Sequence, residues 1–401
     1  MLSRCSAVDA QTFADEYWGR KPLLSKSVDL PRDFSDLLSP GAVDELIAER
    51  GVRAPFVRLA RDGEILAKDC YLGPAGFGAE ITDQVDSAKV LAELSSGATV
   101  VLQGLHRLWP PLIEFVRHAV DDIGHPVQAN AYITPPGNRG FEPHYDVHDV
   151  FVLQVSGQKR WVVHEPVHHH PLPSQPWTEH RAAIADRVRG APVIDTVLTA
   201  GDALYLPRGW LHAAEALDTT SIHLTVGVSA TTGLDVARAV LDELSSIEAF
   251  RQSLPMGRTP TDQDEAVATV NKVMAEVVAA LRDNAATLGS GAATRLSKRY
   301  ASQTRPVAVR PLATLAAEEA EIEVRWRHGL VSTLERTADR VVLRLPDRTI
   351  TFPASCAEAV HALHRGDVLR SAALPGLDAA DGAVLIRRLL REAVVVPVQL
   401  R

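Results

Sequence analysis

Between residues 127 and 228 the chain alternates short apolar runs with turn residues, whereas the segments on either side carry apolar residues at helical intervals. The runs VQANAYITPPG, HDVFVLQVSGQKRWVVHE, TVLTAGDALYLPRGWLHAAEAL and SIHLTVGVS read as consecutive antiparallel strands, with Ser156-Gly157 as a hairpin turn. Strands of this length and spacing favour a double-sheet jelly roll or small barrel. Upstream, DAQTFADEYWGRKPLL sets Phe13, Tyr17 and Trp18 at helical spacing, and the Lys21-Pro22 step ends that helix. Residues 37–50 and 109–123 are expected as helices and residues 55–59 and 97–102 as strands, all scaffold.

After Thr232 the pattern turns helical, over residues 234–245 and 262–288. Val267, Val270, Val273, Met274, Val277, Val278 and Leu281 form an apolar face too broad for a solitary surface helix, so it needs a partner within the chain or in a second copy. Gly289-Ser290-Gly291 is expected to break the helix, and Thr304-Arg305-Pro306 leads into a last unit. There, strands in EIEVRWRHGLVSTLERTADRVVLRLPDRTITFP precede helices around residues 357–364 and 380–392, an arrangement that resembles a winged helix. The expected divisions are 1–230, 231–303 and 304–401.

At 401 residues the chain is too long for one ordinary domain, and 46% hydrophobic with 23% charged residues is the composition of a globular protein with a sizeable core. No run approaches the roughly 18 apolar residues of a transmembrane helix. The N-terminus MLSRCSAVDAQTFADEYW places acidic residues where a signal peptide needs an apolar stretch, so a cytoplasmic protein is expected. A net charge of −8, from 42 Lys and Arg against 50 Asp and Glu, argues against a protein that coats nucleic acid. Cys5, Cys70 and Cys356 are too scattered for a disulfide framework or a zinc site.

The chemistry concentrates in FEPHYDVHDVFVLQVSGQKRWVVHE. His144 and Asp146 stand at i and i+2, so an extended strand points both to one face. A second stretch, AGDALYLPRGWLHAAEAL, supplies His212 at the start of a later strand, and two histidines with one carboxylate can hold Fe(II) on one side, leaving positions open opposite. Lys159 lies amid apolar strand residues, where an ammonium group needs an anionic partner such as a carboxylate-bearing cosubstrate, unless it reaches solvent from a sheet edge. Alternation groups Asn130 with Tyr132, and Ser221 with His223 and Thr225, either as polar cavity lining or as ordinary cross-strand hydrogen bonding. His168-His169-His170, flanked by prolines, reads as a surface loop, and His148 and His164 as non-ligands.

HYDVHDVFVLQVSGQKRW, GDALYLPRGWLH and SIHLT together resemble the JmjC-type ribosomal oxygenases, 2-oxoglutarate- and Fe(II)-dependent protein hydroxylases of the cupin superfamily. The likeness extends to YWGRKPLL and to the order of segments along nearly the whole chain. It implies an α+β protein: a double-stranded β-helix barrel (jelly-roll, cupin/JmjC), then a helical dimerisation region and a winged-helix-like C-terminal domain. It also implies Fe(II) on His144, Asp146 and His212, the distal carboxylate of 2-oxoglutarate on Lys159, and further cosubstrate contacts from Asn130, Tyr132 and Thr225. Val147 departs from the polar residue many relatives place beside the ligand aspartate. The activity implied is hydroxylation of a protein side chain, an arginine or histidine of a ribosomal protein, by a homodimer. The alternatives are the same chemistry on a small molecule or a non-ribosomal peptide, and a non-oxygenase metal-binding cupin.

Overall fold

The computed structural model describes residues 1–61, 63–78, 80–139, 141–254, 256, 263–317 and 322–398, which form two compact units, Met1–Ala230 and Thr231–Arg401. Asp262 and Glu321, where a helix and a strand were expected to begin, lie outside the described residues.

The first unit is built on two antiparallel sheets. The larger has eight strands in the order Leu23–Ser25, Ala203–Leu206, Asp149–Ser156, Ser221–Val228, Val127–Thr134, Thr99–Leu102, Val57–Arg61 and Glu64–Ile65. The smaller places Lys159–His164 between Ile194–Leu198 and Leu211–Ala216. Strand Ser221–Val228 is buried at every position and Asp149–Ser156 at all but its last. Both lie in the middle of the large sheet with both faces covered; Asp149–Ser156 accordingly reads as a nearly continuous apolar run, whereas Ser221–Val228 keeps its alternation, with Ser221, His223 and Thr225 on one buried face.

Ser156-Gly157 is not a hairpin turn. Asp149–Ser156 belongs to the large sheet and Lys159–His164 to the small one, so the turn carries the chain from one sheet to the other. Gly157 adopts φ +67°, and a Cβ there would lie 2.2 Å from the carbonyl oxygen of Thr220, a backbone atom that cannot move aside. Pro207-Arg208-Gly209-Trp210 makes the same passage between Ala203–Leu206 and Leu211–Ala216. Two such crossings make the paired sheets of a jelly roll.

The N-terminal helix is shorter than its periodicity suggests. Residues Ala10–Thr12, capped by Asp9, run into a single π turn over Phe13–Tyr17, and Leu23–Ser25 becomes an edge strand. Packing decides this: Phe13 stacks on Phe151 at 5.6 Å and meets Tyr205 edge-on at 4.8 Å, while Gly19 N–H donates to the Tyr205 hydroxyl at 2.8 Å.

In the second unit, helix Gly233–Glu243 opens with a capping box between Thr232 and Asp235. Helices Gln263–Asp283 and Ala285–Thr304 follow. The expected break at Gly289-Ser290-Gly291 is absent, because the last helix runs through it. Gly291 marks a close approach instead: a Cβ there would lie 2.2 Å from Oε2 of Glu243, and Arg295 donates to Oε1 of the same carboxylate at 2.8 Å. Val267, Val270, Met274 and Val278 remain about half exposed. A three-stranded sheet of Thr333–Arg336, Arg340–Arg344 and Thr349–Pro353 packs with helices Ala357–Arg365 and Ala379–Arg391 around Val341, Leu343, Phe352, Val360, Leu363 and Leu389.

Candidate active site

The two sheets enclose a cavity of about 230 Å³. His144 enters it from a segment that bridges to strand Leu211–Ala216: His144 N–H donates to the carbonyl of His212 at 3.1 Å, and His212 N–H returns to the carbonyl of His144 at 2.9 Å. This exchange sets two residues that are distant in sequence side by side, with ring centroids 4.5 Å apart. Asp146, two residues on, completes the group, and one ligand atom from each of His144, Asp146 and His212 lies within 4.8 Å of the others.

Hydrogen bonding fixes how the two imidazoles are presented. A backbone carbonyl can only accept, so Nδ1–H of His144 donates to Glu142 O at 2.7 Å and Nδ1–H of His212 to Trp210 O at 3.1 Å. In both rings the Nε2 lone pair is left facing the cavity, the tautomer and orientation a metal-binding histidine needs. Burial, reinforced by His144, pushes His212 down to about 4, so it is neutral near pH 7. Burial also opposes ionisation of Asp146, but the surrounding histidines and Arg58 outweigh it and hold the carboxyl below its ordinary value. Two imidazole nitrogens and one carboxylate oxygen, 3.8 Å apart between Nε2 of His212 and Oδ2 of Asp146, suit a divalent first-row metal.

The deep end is different. Lys159 pairs with Ala216 and Leu198 in the central strand of the small sheet, so it is not an edge residue reaching for solvent, and it is only 3% exposed. Its Nζ donates to the Thr134 hydroxyl at 3.0 Å, itself hydrogen-bonded to Thr99, and burial lowers it from its ordinary 10.5 to about 7. His223 stacks on Tyr132 with ring centroids 5.0 Å apart, and burial followed by the charge of Lys159 holds its imidazole well below its ordinary value. His223 Nδ1 and Trp161 Nε1 are buried without hydrogen-bond partners. A cationic group and two unpartnered polar atoms in one enclosed space are a place for a polar, anionic ligand.

Of the residues expected to touch a cosubstrate, Lys159, Tyr132 and Thr225 line the cavity and Asn130 does not; its carboxamide oxygen accepts from Gly104 N–H at 2.9 Å. Ser221 is held by Gln154 at 2.9 Å in ordinary cross-strand bonding, while His223 lines the cavity. His148 and His164 lie outside the ligand group, and His168 stacks on His180 at 4.8 Å without forming a metal-holding group among the described residues. Sequence reasoning missed Arg58, Phe141, Trp161 and Trp177, which also line the cavity. Arg58 carries a faint signal, a charged residue between the buried Val57 and Leu59. Its direction depends on strand pairing: Arg58 pairs with Val101, Val101 with Tyr132 and Tyr132 with His223, one row across the inner face.

Residues 112–236 match the JmjC domain family model. The chain is 33% identical over 221 residues to the bifunctional lysine-specific demethylase and histidyl-hydroxylase NO66 of Drosophila persimilis, covering 54% of this chain and 29% of that protein. It is 31% identical over 218 residues to ribosomal oxygenase 1 of Gallus gallus, covering 54% of this chain and 34% of that one. The chain thus spans about a third of the length of these curated relatives. Among solved structures, the Escherichia coli ribosomal oxygenase YcfD in complex with cobalt and 2-oxoglutarate superposes with a TM-score of 0.54 at 18% identity, over 98% of this chain and 99% of that one. Its complex with cobalt and succinic acid superposes with a TM-score of 0.55 at 17% identity, over 98% and 99%. Residues 112–236 thus correspond to a JmjC domain, and over about half its length the chain is similar in sequence to the ribosomal oxygenases, whose fold it shares.

Proposed function

We propose that this protein is a 2-oxoglutarate- and Fe(II)-dependent dioxygenase that hydroxylates a side chain of a ribosomal protein. The observation that carries this reading is the pairing, in one cavity, of a ligand group with both Nε2 lone pairs turned inward and a buried lysine that meets no carboxylate among the described residues. A metal-binding cupin without oxygenase chemistry has no use for the lysine.

When bound, the iron and its 2-oxo acid supply dioxygen activation coupled to oxidative decarboxylation of the cosubstrate. The chain's own residues do the rest. His144, Asp146 and His212 offer donors on one side of the cavity, and the backbone carbonyls of Glu142 and Trp210 keep the imidazoles turned the right way. Lys159 would meet the distal carboxylate of 2-oxoglutarate, with the Thr134 hydroxyl beside it and Tyr132 and Thr225 along the same wall. Trp161, Leu206, Val150 and Val152 exclude water from the deep end.

The division into a catalytic barrel over 1–230, a helical dimerisation region over 231–303 and a winged-helix-like domain over 304–401 belongs to the same reading. The exposed Val267, Val270, Met274 and Val278 support a homodimer interface, and the three-stranded sheet beside helices Ala357–Arg365 and Ala379–Arg391 supports the winged-helix likeness. No helix among the described residues is long and apolar enough to cross a membrane. A cytoplasmic site of action is the part of this reading that rests on sequence alone.

The test is conversion of 2-oxoglutarate to succinate by the purified protein with Fe(II) and oxygen, in the presence and absence of ribosomal proteins. Succinate formation stimulated by ribosomal protein supports the reading; no succinate under any condition refutes it.

A further inference from the structure

Among the described residues of the cavity wall, Arg58 is the one charged residue that the proposed chemistry leaves without a task. Its guanidinium lies over the ring of Phe141, 5.9 Å from the centroid, and its charge acts on Tyr132 and on the Asp146 carboxylate. It forms no ion pair among the described residues, and its Nε is buried without an acceptor. Strand pairing fixes its place, since Arg58, Val101 and Tyr132 stand in one row on the inner face. An arginine side chain stays charged throughout the accessible pH range.

We propose that Arg58 is a specificity-determining residue, which makes the cavity accept an uncharged target side chain carrying a hydrogen-bond acceptor and turn away a cationic one. The inference rests on the reading of the chain as a protein hydroxylase and narrows its substrate class. Among the described lining residues the charged groups are Arg58, Lys159 and Asp146, and Asp146 is committed to the ligand group. A guanidinium or ammonium target would face Arg58 with no free carboxylate to pair with, and two like charges in an enclosed space repel strongly. An acidic target would instead face Asp146 and the carboxylates of the cosubstrate. A neutral side chain with an acceptor atom avoids both penalties and can accept from the guanidinium that lines the cavity.

The test uses an isosteric pair, N-acetylcitrullinamide and N-acetylargininamide, which differ chiefly in charge. The protein loaded with Mn(II) and 2-oxoglutarate, without oxygen, is titrated with each and followed by tryptophan fluorescence, because Trp161 and Trp177 line the cavity. Wild type should bind the citrulline derivative at least about tenfold tighter than the arginine derivative. Arg58→Glu should reverse the preference and Arg58→Gln should bring the ratio to within about threefold. Taking a ratio on one sample cancels partial misfolding, and Arg58→Gln decides the matter where Arg58→Glu does not fold. Equal affinities in wild type, failure of both ligands to bind, preference for the arginine derivative, or a ratio unchanged by substitution would each overturn the proposal. Retention of Mn(II) is measured separately, so loss of the metal site is distinguished from loss of the selectivity.

Discussion

The two ends of the cavity solve opposite problems. At the ligand end the second nitrogen of each histidine is already satisfied by a backbone carbonyl, so His144 and His212 are oriented before any cation arrives. At the deep end Lys159 has one hydroxyl partner, and His223 Nδ1 and Trp161 Nε1 have none. The ligand end is preorganised with its polar groups at rest, whereas the deep end stores an unpaid desolvation that an anionic cosubstrate would relieve. The contrast teaches that metal and cosubstrate should be separable by mutation, and that only the deep end should trade stability for binding.

The largest expected effect is at the ligand end. His212→Ala removes one of three donors and should lower Mn(II) affinity by about 100-fold or more, because the two remaining donors hold a divalent ion poorly. Calorimetric titration of the metal-free protein measures this, and affinity within a few fold of wild type would move the site elsewhere.

Lys159→Met should separate the two ends. It should weaken 2-oxoglutarate binding by roughly 30- to 100-fold through loss of a charge-assisted contact, with Mn(II) affinity changed less than about threefold. It should also stabilise the empty protein near pH 7 by on the order of a few kcal/mol, because a lysine lowered to about 7 by burial disfavours the folded state. The sign follows from proton binding: between about 7 and 10.5 the unfolded chain holds a proton on this lysine that the folded chain has released. Wild-type stability therefore gains a rising contribution as pH increases across that window, and Lys159→Met should lack it. Chemical denaturation at several pH values reads the difference, and a variant less stable than wild type would contradict a costly buried lysine.

A smaller effect follows in binding. If protonated Lys159 holds the distal carboxylate, 2-oxoglutarate affinity should fall by up to about tenfold per pH unit above about 7, since the free protein must take up a proton to bind. A flat profile between pH 7 and 9 would assign the anchor to another group.

How far this contrast could be read from sequence differs between its two ends. His144 and Asp146 were legible from their i and i+2 spacing, although the expected strand is absent there and an isolated bridge from His144 to His212 places them instead, and His212 was legible because its Pro-Arg-Gly turn is local. The burial of Lys159 was only half legible, since sequence does not say which strand is central in a sheet. Arg58 was barely legible, because its direction depends on its pairing with Val101, 43 positions along the chain, and on that of Val101 with Tyr132. Ser156-Gly157 misled for a related reason: a turn that joins two paired strands and one that crosses between sheets share the same residues. Gly291 misled because its partner, Glu243, lies 48 positions earlier in sequence.

The smallest effect on the cavity should come from the second unit. Val270→Glu together with Val278→Glu places charges on the exposed face of helix Gln263–Asp283 and should dissociate a homodimer while leaving Mn(II) affinity within about twofold of wild type. Light scattering at low concentration checks it; a wild-type monomer near 43.4 kDa would remove the dimer from the account.

The central claim, that the two ends together oxidise a ribosomal protein, is tested most directly by intact-mass and peptide analysis of ribosomal proteins incubated with the protein, Fe(II), 2-oxoglutarate and oxygen. The account predicts the mass of one added oxygen atom on a single peptide with wild type and none with His212→Ala. Succinate formation without any oxygen added to a ribosomal protein would contradict it.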